Sequence, residues 1–258
     1  MTVNFGKVSS DYAKYRDHLP PILFEQLTDR GVRFEGAEVV ELGSGTGIFC
    51  RDLAERGAEV IGIEPSQPLI NEAVEYDRKN SVNSIGYVNG KAEDVVLQGR
   101  YPIVTAVRAW HWFNRLQVIR NVKKYLEIQG YLIIINSIFL PDSIVARTTF
   151  EVLRSNNIKL KPAGSNAEVK ERRNGFPANW FDEWEGHSLQ LVHEWQQDYE
   201  LQFTHEEWCG KIRSVSWMTN ADEHTRRKVT DELKERLKER EEILRVPHRY
   251  SVVILKNT

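Results

Sequence analysis

In the first half of the chain, short apolar runs alternate with longer stretches whose apolar residues recur every three or four positions. Runs at 38–42 (EVVEL), 59–63 (EVIGI), 85–88, 103–107 (IVTAV) and 131–135 (YLIII) predict strands. Between them, 48–56 predicts a helix stopped by Gly57, 68–76 one with Pro68 in its first turn, and 116–126 a third. Most of these strands are apolar on both faces, which a parallel sheet covered by helices on both sides requires. The expected class is therefore α/β with a doubly wound sheet.

After Pro141 the alternation stops. Residues 142–156 predict a helix, and 161–186, rich in Pro, Gly, Asn and charge, predict a loop. Residues 189–195 and 199–203 alternate apolar and polar positions and predict two strands. The charged stretch 222–245 carries Val229, Leu233 and Leu237 at four-residue spacing, with acids and bases three or four apart, and predicts a solvated surface helix. A late strand is expected at 250–255. No repeat, low-complexity tract or linker divides the chain, so 1–258 is expected to form a single domain: a core at about 1–137, a variable region at about 138–245 and a final strand in 246–258 returning to the sheet.

Composition narrows the classes. Hydrophobic residues are 41% and charged residues 28%, the balance of a globular protein rather than a disordered one. No apolar run approaches the roughly 20 residues that cross a bilayer, and the N-terminus does not read as a signal peptide. Cys50 and Cys209 are too few for a disulfide framework or a structural zinc site; no metal and a cytoplasmic location are expected. A formal charge of −2 argues against a broad phosphate-binding face, hence against nucleic acid as partner.

The chemistry-bearing segment is 41–47, E-L-G-S-G-T-G, placed between a strand and a helix. Glycines there allow positive φ and close approach of a ligand to the backbone, next to the free N–H groups of a helix start. A dinucleotide fingerprint needs a third glycine where Ile48 stands, and a phosphate loop needs a Lys-Ser or Lys-Thr pair. Glu41 would repel a pyrophosphate but suits a ligand bearing an ammonium and a sulfonium. Glu64, at the end of the second strand, is placed to accept the hydroxyls of a ribose.

These segments resemble the class I S-adenosylmethionine (SAM)-dependent methyltransferases. The glycine run and I-E-P-S at 63–66 are similar to the first two motifs of that family. G-K-A-E-D-V at 90–95, A-V-R-A-W-H-W-F-N at 106–114, Y-A-K-Y-R at 12–16 and the turn at 127–132 resemble later segments of its small-molecule branch, the trans-aconitate and ubiquinone-biosynthesis methyltransferases. The resemblance covers about 5–137. It implies a seven-stranded, mostly parallel, Rossmann-like sheet with a variable C-terminal region covering the substrate.

By the same resemblance, Gly43, Ser44, Gly45 and Gly47 approach the methionine part of SAM, Glu41 helps hold its ammonium, and Arg16 neutralises its carboxylate. Glu64 with Pro65 takes the ribose, Ala92 and Glu93 flank the adenine, and the carbonyl of Arg108 lies near the amino group. Lys91 stands where relatives carry an Asp that contacts the adenine amino group; Lys cannot accept such a bond, which leaves Glu93, Asp94 or water. Tyr101-Pro102 replaces the usual Phe-Asp, and Pro102 should start its strand or lie where no ladder bond is needed.

Transfer from a sulfonium to an acceptor oxygen, nitrogen, sulfur or carboxylate needs mainly alignment and water exclusion. His111, after the fourth strand, is the candidate base; contact with substrate and packing between Trp110 and Trp112 are the alternative readings. Tyr12, Tyr15, Trp110, Trp112 and Trp217 are the candidate substrate-side residues. S-adenosyl-L-homocysteine is the expected product, and a small molecule the expected partner of a monomer or homodimer. An acceptor on protein or RNA, or SAM binding without catalysis, are the rival readings.

Overall fold

The computed structural model describes residues 13–219 and 221–258, so Tyr12 lies outside the described residues. These residues group into two compact units. The first comprises 18–136, 163–196 and 251–258; the second comprises residues up to 17, 137–162 and 197–250.

In the first unit, helix α1 (Pro21–Asp29) starts on two prolines, whose fixed φ suits a helix N-terminus, and buries Leu23, Phe24 and Leu27. There follow β1 (Glu38–Leu42), α2 (Ile48–Ala54), β2 (Glu59–Glu64), α3 (Gln67–Lys79), β3 (Ile85–Asn89), β4 (Tyr101–Val107) and α4 (Arg115–Tyr125). Strand β5 (Leu126–Phe139) comes next. The seven-stranded sheet has the order β3-β2-β1-β4-β5-β9-β8, where β8 is Leu189–Thr204 and β9 is Ile243–Asn257, and is parallel from β3 through β5. Such an order reverses between β1 and β4, and ligands of open α/β sheets bind at the carboxyl ends of strands flanking that reversal. Val40, Leu42, Ile63, Val104, Leu132 and Ile134 pack there with Val118, Ile119 and Val122 of α4. Pro102 interrupts the β4–β5 register between Tyr101 and Ile103, consistent with a residue that has no N–H to donate.

The structure departs from the sequence expectations in several places. First, the expected turn at 127–132 is part of β5: Gln129 takes a left-handed φ of 67° inside the strand, and Asn257 Nδ2 donates to the carbonyls of Leu126 and Glu127. Second, 161–186 is not simply a loop. It holds a 3-10 turn (Gly164–Ala167), a two-stranded ribbon of β6 (Arg172–Arg173) and β7 (Phe176–Pro177), and helix α6 (Asn179–Glu185). Trp180 and Trp184, four apart on α6, point into the core with Phe176 and Phe181, and burial outweighs the polar composition of the flanks.

Third, the two strands expected at 189–203 are one, β8 (Leu189–Thr204), because Gln196, Gln197 and Asp198 continue an extended chain that is mostly exposed. Fourth, the charged helix, α8 (Glu223–Leu237), ends well short of 245. From Ile243 the pattern changes to period two, burying Leu244, Val246, His248 and Tyr250, and the chain becomes the long strand β9 (Ile243–Asn257). Helix α5 (Ile144–Ser155) matches its expectation, whereas α7 (His205–Ser214), opened by a Thr204/Glu207 capping box, was not foreseen. Val152, Trp208, Ile212, Leu233 and Leu244 lie in the core of the second unit.

Candidate active site

Strand β1 delivers the chain into the turn 43–47 at the sheet reversal. Gly43, Gly45 and Gly47 all have positive φ, at 72°, 56° and 76°. A Cβ at Gly43 would stand 2.6 Å from that of Ala109, and one at Gly47 would overlap the Tyr87 hydroxyl. Both positions therefore need glycine for conformation and for space. Gly43 and Ser44 donate their N–H groups to the Ile63 carbonyl at 2.8 and 3.0 Å, which ties the turn to β2.

Glu64, at the last residue of β2, faces the same turn. Its carboxylate accepts the Gly45 N–H at 3.0 Å and the Ser66 N–H at 2.9 Å. Burial raises its pKa, against the lowering effect of those two N–H groups. A carboxylate has about four acceptor positions, so two remain for further donors. Pro65 is exposed, and its carbonyl accepts from Asn89 Nδ2 at 3.2 Å. Behind the turn, Glu41 is 1% exposed; it accepts the Val107 N–H at 3.2 Å and a hydrogen bond from Thr105 Oγ1. Burial pushes its pKa up to about 8. The hydroxyls of Ser44 and Thr46 are buried with no hydrogen-bond partner among the described residues.

A network that sequence reasoning missed fixes the turn from below. Arg51 of α2 donates to the Thr46 carbonyl at 2.9 Å and pairs with Asp77 of α3 at 2.9 Å, and Tyr87 Oη donates to the same carboxylate at 2.8 Å. Arg51 and Asp77 are both buried. The available signal was a lone arginine on a short, otherwise apolar helix face, but its partner lies 26 residues away.

Beyond β3, Ala92 is buried and Glu93 half-buried, held by Asn121 Nδ2, which donates to both carbonyls. The Glu93 carboxylate accepts the Asn114 N–H at 2.8 Å and is thereby committed to the start of α4. After β4, Arg108 has a left-handed φ of 55°, costly for a residue with a Cβ, and its N–H donates to the Ile135 carbonyl at 2.8 Å. The chain then makes the 3-10 turn Trp110–Trp112. His111 is half-buried, its ring tilted 50° against Trp112 at 4.7 Å between centroids, and its carbonyl accepts from Ser165 Oγ at 3.1 Å.

Residues 40–134 match the family described as a methyltransferase domain. An uncharacterized methyltransferase of Mycobacterium tuberculosis is 29% identical over 133 residues, covering 51% of this chain and 51% of its own. The chain spans about half the length of the curated relatives it matches. Two solved structures share the fold. A type II methyltransferase structure from Anaeromyxobacter dehalogenans has TM-score 0.65 at 15% identity, covering 94% of this chain and 98% of that one. A SAM-dependent methyltransferase of Geobacter sulfurreducens, solved with S-adenosyl-L-homocysteine, has TM-score 0.56 at 16% identity and full coverage of both. The sheet of this chain is that of the class I methyltransferases.

Within the first unit the structure brings Glu41, Gly43, Ser44, Gly45, Gly47 and Glu64 together around one turn. Ala92, Glu93, Arg108 and His111 belong to the same unit, on the loops after β3 and β4. Trp110 is 2% exposed and packs on Phe113 and Trp184 at 5.9 and 6.3 Å. Tyr15, Arg16 and Trp217 belong to the second unit, where Tyr15 Oη donates to Glu206 and Trp217 Nε1 to the Lys161 carbonyl, each at 2.8 Å.

Proposed function

We propose that the chain binds SAM and transfers its methyl group to a small-molecule acceptor. The observation that carries this reading is the meeting of a three-glycine, left-handed turn with a buried acid from the neighbouring strand. The residues fit SAM: Ser44 and Thr46 hold buried hydroxyls without partners among the described residues, and Glu64 keeps acceptor positions for a ribose diol. When bound, SAM supplies a methyl group on a positively charged sulfur, already activated for displacement.

The residues then have mainly to bind and align. Gly43, Ser44, Gly45 and Gly47 line the amino-acid end, with Glu41 a buried acid behind them. Glu64 and Pro65 take the ribose, Ala92 and Glu93 border the base through their backbone, and the Arg108 carbonyl serves the amino group. With the Glu93 carboxylate capping α4, Asp94 or water is left to accept from the adenine amino group. The charge of −2 supports a small acceptor over a nucleic acid. So does the run 108–111, Arg-Ala-Trp-His, where amino-methylating enzymes of nucleic acids and proteins carry an Asn/Asp-Pro-Pro-aromatic run. Among the described residues no helix is long and apolar enough to cross a membrane and no three metal-ligating side chains cluster.

Calorimetry with SAM and with S-adenosyl-L-homocysteine tests the proposal. Glu64→Ala should weaken both by tenfold or more, through loss of a charged acceptor. Unchanged affinity in a folded variant would remove the ribose assignment, and no heat with either ligand in the wild type would remove the function.

A further inference from the structure

Helix α2 buries Phe49, Cys50 and Leu53, and with them the acid Asp52, whose side chain is 8% exposed. One carboxylate oxygen, Oδ2, is buried with no hydrogen-bond partner among the described residues. The other, Oδ1, stands 2.7 Å from Nδ1 of His18, whose side chain is 60% exposed. Two arginines of the same stretch lie close by in sequence, but neither serves this carboxylate. Arg51 is committed to Asp77 and to the Thr46 carbonyl. Arg56 donates to the main-chain carbonyl of Asp52 at 2.5 Å, and its guanidinium lies 3.5 Å from the centre of the Phe24 ring. Among the described residues the imidazole is the group that donates to the acid.

A buried carboxylate with a single donor is poorly compensated, so the charge on that donor matters. An ionised carboxylate only accepts, so Nδ1 carries a proton in either charge state of the ring. What changes with pH is the proton on Nε2. With it the contact is an ion pair, and a charge-assisted bond is about twice as strong as a neutral one. His18 is also the first residue of the first unit, the segment up to 17 belonging to the second. From His18 the chain runs through the buried Leu19 and two prolines into α1. Prolines have no N–H to donate, so attachment of this short entry falls to side chains such as His18 and Leu19.

We propose that His18 and Asp52 form a charge-dependent anchor that pins the entry 18–20 to α2, tight while the imidazole is charged and looser once it is neutral. The bond to Asp52 raises the pKa of His18 above the ordinary 6.5, against burial and Arg51, which lower it; Glu55 raises it further. The charged groups that act on the ring are thus Asp52, Arg51 and Glu55, while Arg56 is turned to Phe24. Because the folded value lies above the unfolded one, the anchor is fully present below about pH 6.5 and is lost as pH rises through the folded value. The inference is independent of methyl transfer.

Two measurements on the full chain read it. In a proton NMR titration, with the His18 resonance identified by its loss in His18→Gln, the wild-type midpoint should lie above 6.5 and Asp52→Asn should bring it down. A midpoint at or below 6.5, or one that Asp52→Asn leaves in place, would overturn the anchor. Hydrogen exchange, corrected for intrinsic rates, reads the consequence. Between pH 6.0 and 8.5, protection of a peptide spanning 18–24 should fall at least threefold relative to one spanning 131–135 of β5. His18→Gln can still donate to Asp52 but carries no charge, so its ratio should stay flat at the lower value. A wild-type ratio that does not move, or a His18→Gln ratio that falls with it, would equally remove the proposal. Should Asp52→Asn fail to fold, the wild-type midpoint and the two exchange profiles still decide.

Discussion

At the scale of single residues, the site depends on where carboxylates sit relative to water. Glu41 and Glu64 are both buried acids, yet their hydrogen bonds differ in kind. Glu64 accepts two backbone N–H groups at the surface of the turn, whereas Glu41 is closed off behind β1 by Thr105 and Val107. With its pKa raised from 4.5 to about 8, Glu41 holds a proton in the folded state that the unfolded chain has lost. Its contribution to stability is therefore fully present below about pH 4.5 and is lost as pH rises towards 8, by about 1.4 kcal/mol per pH unit at most. Urea midpoints of wild type and Glu41→Gln at pH 5, 6, 7 and 8 should diverge accordingly, the variant being the flatter. Parallel profiles would mean that the carboxyl is ionised in the fold. His111 calls for a different measurement: with SAM as label donor, His111→Ala should lower turnover more than SAM affinity, and equal loss of both would assign the ring to packing.

Elements hold these residues through connections that are short in space and long in sequence. The glycine turn rests on α2 and α3 through Arg51, Asp77 and Tyr87. Arg51→Met should strand Asp77 in a buried site and cost about 3–5 kcal/mol, read as a lower denaturant midpoint. The double variant Arg51→Met/Asp77→Leu should recover most of that loss. If it recovers none, the packing of the two helices, rather than the ion pair, supports the turn. Helix α6 shows another kind of dependence. Its indoles at 180 and 184 fill the core although their N–H groups have no partner among the described residues, so the area they bury outweighs the unmet bonds.

For the whole molecule, the proposed ligand site lies on one unit while the second unit keeps its own core. Anything that binds the folded state and not the unfolded one raises apparent stability by mass action, about 2.7 kcal/mol at a hundredfold excess over Kd. S-adenosyl-L-homocysteine at that excess should shift wild-type denaturation by this amount, and at the same concentration should shift Glu64→Ala by at least about 1.3 kcal/mol less. An equal shift in both would place the ligand elsewhere. The sheet up to β5, the glycine turn and the acid at the end of β2 were legible in the sequence because each is local. A strand buried on both faces must be apolar throughout, and a turn held at positive φ favours residues without a Cβ, so neighbouring letters suffice. Tertiary structure alone decided that 243–249 is strand, that 179–185 is a buried helix, that Trp110 is core, and that Arg51 meets Asp77 and His18 meets Asp52. Those outcomes depend on which distant surfaces exclude water from one another, and a one-dimensional pattern does not carry that information.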